Sequence, residues 1–188
     1  MDDIQDKTDE ELMLLCAQDN LEAFSILFHR YQRKILNFAW RYLNDRGSAE
    51  DILQETFLRM FIFRKSFKRK ASFATWLYTI AKNLCWEESR KPYRRIQAQD
   101  EDPNLLDCHQ PGILERLERK ELQEKIREAI SSLPPRQKEA IILSKYQGMS
   151  LSEIAKILNC SEGAVKQLVH RALLSLRRKL TPYFKDGG

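Results

Sequence analysis

Glycine and proline are scarce in this chain, six of each in 188 residues, and runs that alternate β-branched with polar residues are missing. Together these absences exclude a protein built mainly of strands and tight hairpins. Four cysteines at positions 16, 85, 108 and 160 contain no Cys-x-x-Cys pair and no short secreted framework, so neither a zinc site nor structural disulfides are expected. Cys108-His109 is the one Cys/His adjacency, and two neighbouring loop residues cannot enclose a metal ion alone. No Gly-rich phosphate loop occurs, the acids lack metal-site spacing, and no Ser or Cys lies in a recognisable nucleophile motif. The residues thus call for no catalytic set, no metal and no cofactor. No apolar run reaches the roughly 18 residues of a membrane span, and the N-terminus is acidic where a targeting leader would be basic and then apolar. The expectation is a cytoplasmic protein without membrane insertion.

What the chain has in quantity is charge and helix formers. Lys and Arg number 32 against 27 Asp and Glu, a formal +5, which suits a polyanionic partner without identifying one. Leu, Ala, Glu, Lys, Arg and Gln recur at intervals of three and four, so the expected fold is all-α.

Helix-start signals divide the first half. Thr8-x-x-Glu11 opens a short helix to about Ala17, and Asp19-x-x-Glu22 a long one to about Leu43. Asn44-Asp-Arg-Gly47 breaks the chain. Ser48 is then placed to cap a third helix through Phe63, and Ser72 a fourth from Phe73 to about Arg90, ended by Lys91-Pro92. Between Tyr93 and Gly112 the periodicity vanishes into a polar, acidic, proline-containing stretch that reads as a flexible tether. Beyond it, Ile113 to Ser131 forms a charged amphipathic helix, Leu133-Pro134-Pro135 stops the chain, and Arg136 to Tyr146 begins again with Pro135 near the first turn. Two small helical domains follow, residues 1–92 and 113–188, joined by a linker over 93–112.

The second domain closes with a basic helix-turn-helix. Ser150 to Leu158 is a short amphipathic helix, Asn159-Cys160 a turn, and Ser161 to Leu180 a longer helix. In the latter, Val165, Leu168, Val169, Ala172, Leu173, Leu176 and Leu180 mark a buried stripe. Lys166, Gln167, His170 and Arg171 project from the opposite side of the first turns, where Arg and Gln can meet base edges and Lys a phosphate. Ser161 can cap the helix, and its unpaired N–H groups favour an anion. Five basic residues against one acid over 161–180 concentrate positive charge there.

In the first domain Asp51, Gln54 and Glu55 share one helical stripe at i, i+3 and i+4, suited to a basic partner helix. Phe57, Leu58, Phe61, Ile62 and Phe63 exceed what one buried stripe requires, so this helix either crowds a core or offers apolar area to a partner. Arg64-Lys65 and Lys68-Arg69-Lys70 lack an intervening acid and precede an aromatic helix. Cations beside rings suit an unpaired nucleic-acid strand. Phe73, Trp76, Leu77, Ile80, Ala81 and Leu84 mark that helix's buried stripe, Lys82 and Asn83 project elsewhere, and Trp86 is expected to pack rather than share a surface with Asn83.

Four motifs in order, Asp51-Ile-Leu-Gln-Glu-Thr-Phe57, Phe73-Ala-Thr-Trp-Leu-Tyr-Thr-Ile-Ala-Lys-Asn83, Leu133-Pro-Pro-Arg-Gln-Lys138 and Gly163-Ala-Val-Lys166, resemble the extracytoplasmic-function (ECF) sigma factors of bacterial RNA polymerase. The resemblance covers about residues 9 to 91 and 113 to 180. It implies a non-catalytic subunit that joins core polymerase, recognises two promoter elements and helps open the duplex. Position by position, it implies that Asp51, Gln54, Glu55 and Leu58 grip the clamp coiled coil of the largest polymerase subunit. The loop over 66–72 with Lys68, Arg69 and Lys70 would capture a base flipped from the minus-ten element, and Lys82 and Asn83 would contact the melted strand. Ser161, Lys166, Gln167, His170 and Arg171 would serve the minus-thirty-five element. An anti-sigma factor is a further partner implied by the family. Ala164 departs from the usual Thr and removes a hydroxyl, leaving backbone amides for any phosphate there. The rival reading is a stand-alone helix-turn-helix regulator, which would bind a palindrome as a symmetric dimer and would have no need of the Asp51-Gln54-Glu55 stripe.

Overall fold

The protein is described here from a computed structural model that covers residues 4–68, 72–91 and 113–185. Every regular element among these residues is helical. The first bundle comprises α1 (Asp9–Ala17), α2 (Leu21–Leu43), α3 (Arg46–Ile62) and α4 (Phe73–Ser89). The second comprises α5 (Ile113–Ser131), α6 (Pro135–Ile141), α7 (Leu151–Leu158) and α8 (Glu162–Lys185). The expected tether over 93–112 lies outside the described residues, as does Cys108.

Local chemistry sets the helix starts. The Thr8 and Ser150 hydroxyls accept the Glu11 and Glu153 amides, while those glutamates reach back to the capping amides, giving reciprocal boxes at α1 and α7. Ser72 caps α4 through the Thr75 amide. Two starts differ from the sequence expectation. Asn20 caps α2 through the Ala23 amide, because Asp19 sits in a left-handed conformation (φ 66°) and turns its carboxylate to Arg64. Asp45 caps α3 through the Ser48 amide, so Ser48 is inside the helix and Gly47 belongs to its first turn. At the other end, the expected helix to Tyr146 widens after Ile141 into a π-helical turn, Ile142–Tyr146. Helix α8 runs past Leu180 to Lys185 and contains Pro182.

Helix α2 is the spine of the first bundle and packs on α1, α3 and α4. Its Phe24 and Phe28 meet Phe57 edge-on at 6.3 and 4.8 Å, and Phe38 meets Tyr78 at 5.5 Å. Of these rings Phe38, Phe57 and Tyr78 are buried, each contributing about 1.5–3 kcal/mol through area removed from water. In the second bundle α6 and α7 pack on α8, whose Val165 and Ala172 are fully buried. Leu168, Val169 and Leu176 pack only partly against the core, and Leu173, expected on the same stripe, is 43% exposed. A short three-helix support covers a narrower arc of α8 than its apolar sequence could fill.

The two bundles touch. Helix α4 packs on α7, and α2 packs on α5 and on the π-helical turn, so one continuous apolar cluster runs from Leu12 to Ala172. The seam is largely polar and aromatic at its edges. Tyr78 donates a 2.6 Å hydrogen bond to Oε1 of Gln147, the Arg41 guanidinium lies 3.9 Å from the Tyr146 ring, and that of Arg127 lies 5.5 Å from Trp40.

Candidate nucleic-acid and protein interfaces

Three surfaces collect the residues singled out by sequence. On the first, the helical period of α3 puts Asp51 and Gln54 in solvent with Glu55 half-buried beside them. Leu58, one turn on, is 53% exposed and Ile62 56% exposed. The apolar surplus of α3 therefore splits. Phe57 and Met60 are in the core, Phe61 is half-buried, and Leu58, Ile62 and Phe63 face outward. Asp51, Gln54, Glu55 and Leu58 line a shallow groove between α3 and α4. Its other wall brings Glu87 and Glu88, whose contribution the local pattern did not reveal because it comes from a second helix. Arg59 ties the walls together, donating to Glu55 at 2.7 Å and approaching Glu87 at 3.9 Å. The result is an acidic rim around an exposed leucine, suited to a basic amphipathic helix.

The second surface is the loop after α3. A 3-10 turn, Arg64–Ser66, starts it, anchored by two guanidinium hydrogen bonds from Arg64 to Asp19. Those bonds and the guanidinium charge hold the Asp19 carboxyl below the usual range. Phe67 is buried against Trp76 at 5.5 Å and Phe73 at 6.3 Å, and the Phe73 amide donates to Glu10 at 2.8 Å. Each end of the loop is thus pinned to the bundle while Lys68 is exposed. Arg69 and Lys70 lie outside the described residues. Trp76 is half-buried and packed against the core as expected. Trp86 is not packed as expected: it is 40% exposed with Arg90 over its ring, on a different side of α4 from Leu84, Glu87 and Glu88, which face α3. Asn83 is exposed, and Lys82 half-buried. Lys82 lies near enough to α6 for its charge to oppose the effect of burial on the Glu139 carboxyl.

The third surface is the helix-turn-helix. Asn159 adopts the left-handed conformation (φ 48°) that ends α7, and the Ser161 hydroxyl accepts the Ala164 amide at 3.2 Å to start α8. Buried Ile154, Ile157, Leu158, Val165 and Ala172 lock the two helices together. That leaves Ser161, Lys166, Gln167, His170 and Arg171 all exposed on the opening turns of α8. Arg171 also borders a groove with Gln137, Leu174, Ser175 and Arg178, so α6 meets the helix directly behind its exposed basic face.

Among the described residues no cluster of His, Cys, Asp or Glu could hold a metal ion, and no helix is long and apolar enough to cross a membrane.

Comparison with known proteins agrees with this layout. Residues 27–95 match the family model for sigma-70 region 2, and residues 123–176 that for sigma-70 region 4. The chain is 31% identical to an ECF RNA polymerase sigma-E factor of Haemophilus influenzae, covering 93% of this chain and 96% of that one. It is 28% identical to an RNA polymerase sigma-H factor of Pseudomonas aeruginosa, over 95% and 96%. Among solved structures it is similar to the sigma factor RpoE of Bartonella quintana in complex with the anti-sigma factor NepR. That match has a TM-score of 0.67 at 25% identity and covers 84% of this chain and 96% of that chain. The fold of CnrH, solved with the cytosolic domain of CnrY, is also shared, with a TM-score of 0.68, 24% identity and coverage of 96% and 99%. With region 2 on the bundle that carries the acidic groove and region 4 on the one that carries the helix-turn-helix, the chain belongs to the ECF sigma factors of bacterial RNA polymerase.

Proposed function

We propose that this sigma factor, which binds core RNA polymerase and directs initiation at specific promoters, divides that work among the three surfaces. The observation that carries the division is the exposure of Asp51, Gln54 and Leu58 around one acidic groove, on a different bundle from the exposed Lys166, Gln167, His170 and Arg171. The groove would seat the clamp coiled coil of the largest subunit, with Glu55 meeting basic residues and Leu58 supplying the desolvated contact on which such interfaces concentrate their energy.

The pinned loop would take the minus-ten strand. Phe67, Phe73 and Trp76 pack against one another where the loop carrying exposed Lys68 leaves the bundle. Arg69 and Lys70 supply further cations by sequence, and Lys82 and Asn83 lie along the following helix. Extruding a base costs a few kcal/mol of lost stacking, offset by pocket and backbone contacts. Helix α8 would enter the major groove at the minus-thirty-five element, with Arg171 and Gln167 on base edges, Lys166 on phosphate, and the Ser161-capped N-terminus toward the backbone.

The chemistry of RNA synthesis then belongs to the polymerase, and the chain acts in the cytoplasm as a non-catalytic subunit. An anti-sigma factor is a further partner, a reading supported by the similar RpoE chain having been solved with one. A stand-alone regulator is disfavoured by the whole first bundle, whose groove would have no purpose in a protein that needs only duplex DNA. The test is run-off transcription with core polymerase and genomic fragments. Specific products that depend on the added chain are expected; none, from folded protein that does not associate with core enzyme at low salt, would overturn the proposal.

A further inference from the structure

Three consecutive residues in the first turn of α6 reach three different helices. The Arg136 guanidinium donates a 2.8 Å hydrogen bond to the carbonyl of Leu158, the last residue of α7. Gln137 lies against α8 beside Arg171, Leu174, Ser175 and Arg178. Lys138 extends toward the Tyr42 carbonyl of α2 at 3.5 Å, with its ammonium 5.2 Å from the Tyr42 ring. Pro135 at the first helical position starts this turn with a fixed φ, so the three side chains leave a preorganised base.

The Arg136 bond falls where the backbone is short of partners. A helix leaves its last four carbonyls without intrahelical donors. In α7 the chain turns through left-handed Asn159, whose amide and that of Cys160 return to Ala155 and Lys156. The Leu158 carbonyl receives the guanidinium instead, a charge-assisted bond at the negative end of the helix dipole. Three residues later Ser161 caps the recognition helix. One turn of α6 therefore holds α7 by the Arg136 hydrogen bond while α6 packs directly on α8, on either side of the turn that sets the angle between them.

We infer that Arg136 is a positioning residue for promoter reading: by holding the end of α7, it fixes the direction in which α8 presents Lys166, Gln167, His170 and Arg171, without itself touching DNA. The inference rests on the proposed role of α8 at the minus-thirty-five element. It adds a determinant 25 or more residues upstream of every side chain assigned to that contact.

The test uses the full chain with Arg136→Met, which keeps the stem and removes the donors, and Arg136→Lys, which restores a cationic donor. In the free protein, amide exchange should accelerate from Cys160 to Ala164 in Arg136→Met, with core amides such as those of α2 unchanged, and should return toward normal in Arg136→Lys. In holoenzyme, affinity is compared over a salt series for a selected promoter fragment and the same fragment with its upstream element scrambled. The preference for the intact element should fall about tenfold in Arg136→Met, the scale of one hydrogen bond to a charged group, with the salt slope unchanged. An equal loss on both fragments with a slope shallower by about one would make Arg136 a phosphate contact and overturn the inference. Unchanged preference with unchanged exchange at the turn would overturn it as well. Wild-type holoenzyme blind to the scrambled element would instead sink the assignment of α8, while the exchange result would still decide whether Arg136 holds the turn.

Discussion

The phenol of Tyr78 and the side-chain amide of Gln147, 69 residues apart, meet at 2.6 Å and join α4 to the turn that precedes the helix-turn-helix. Burial pushes the Tyr78 phenol well above its ordinary range, so it is the neutral donor at every physiological pH. Tyr78→Phe should cost about 1 kcal/mol, one neutral hydrogen bond, seen as a lower urea midpoint. A second readout is the distance between probes on α3 and α8, which should broaden if this bond helps hold the bundles together; an unchanged midpoint and distance would show the seam to be independent of it.

Reversing charge at Glu55 should weaken core-polymerase binding while sparing the DNA affinity of the C-terminal bundle. Because Glu55 also holds Arg59 at 2.7 Å, Glu55→Lys repels Arg59 within the helix, whereas Glu55→Gln only removes the charge. The expected order of polymerase affinity is wild type, Gln, Lys, measured by competition for limiting core enzyme. A parallel fall in duplex binding would contradict the separation of surfaces.

At α8, Arg171→Ala should relax promoter choice at one base pair by roughly 1–3 kcal/mol, the worth of a bidentate base contact. Lys166→Ala should instead weaken all sequences alike and make the salt slope shallower by about one. Competition between promoter variants distinguishes the two. A uniform loss from Arg171→Ala would place that guanidinium on the backbone.

Glu139 is only 6% exposed, and burial raises its carboxyl above the ordinary 4.5, against the lowering influence of Lys82, Arg136 and Lys138. A raised folded-state value means that the folded protein binds the proton more tightly than the unfolded chain. The cost of ionisation is absent below about 4.5, grows as pH rises through the folded-state value, and is present in full above it. Glu139→Gln should therefore gain stability over wild type at neutral pH and lose that advantage on acidification, in melting curves from about pH 4 to about pH 8. A difference that is constant across the range would show that packing, and not charge, governs the site.

Thiol labelling offers a check on the packing of both bundles. Burial pushes the Cys16 thiol up to about 11, and Cys85 is also buried, while Cys160 at the turn before α8 is half-buried. Under native conditions an alkylating reagent should modify Cys160 well before Cys16 or Cys85, since attack requires an accessible thiolate. Early loss of Cys16 would indicate that α1 detaches from the bundle.

Much of the architecture is legible in the chain because its signals are local. Thr8, Ser72 and Ser150 satisfy amides three residues away, and the Ile154, Val165 and Ala172 pattern states which faces turn inward. Where two local solutions compete, the sequence is ambiguous: Asp19 and Asn20 can both cap α2, and only the presence of Arg64 draws Asp19 away. Leu173 and Trp86 depart from the expected stripes for a related reason. Period assigns a face but not whether a neighbouring helix covers it.

The candidate surfaces divide along the same line. Asp51, Gln54 and Glu55 share a stripe by the helical repeat alone, and Lys166, Gln167, His170 and Arg171 do so again at α8, so both were readable from spacing. That Glu87 and Glu88 complete the first groove, that Lys82 comes under the influence of Glu139, and that Arg136 closes the end of α7 depend on helices brought together from distant segments. Sequence period determines the outward face of each helix, because side-chain direction follows from backbone geometry within a few residues; which charges and carbonyls meet across that face is decided by packing between helices, which no local repeat encodes.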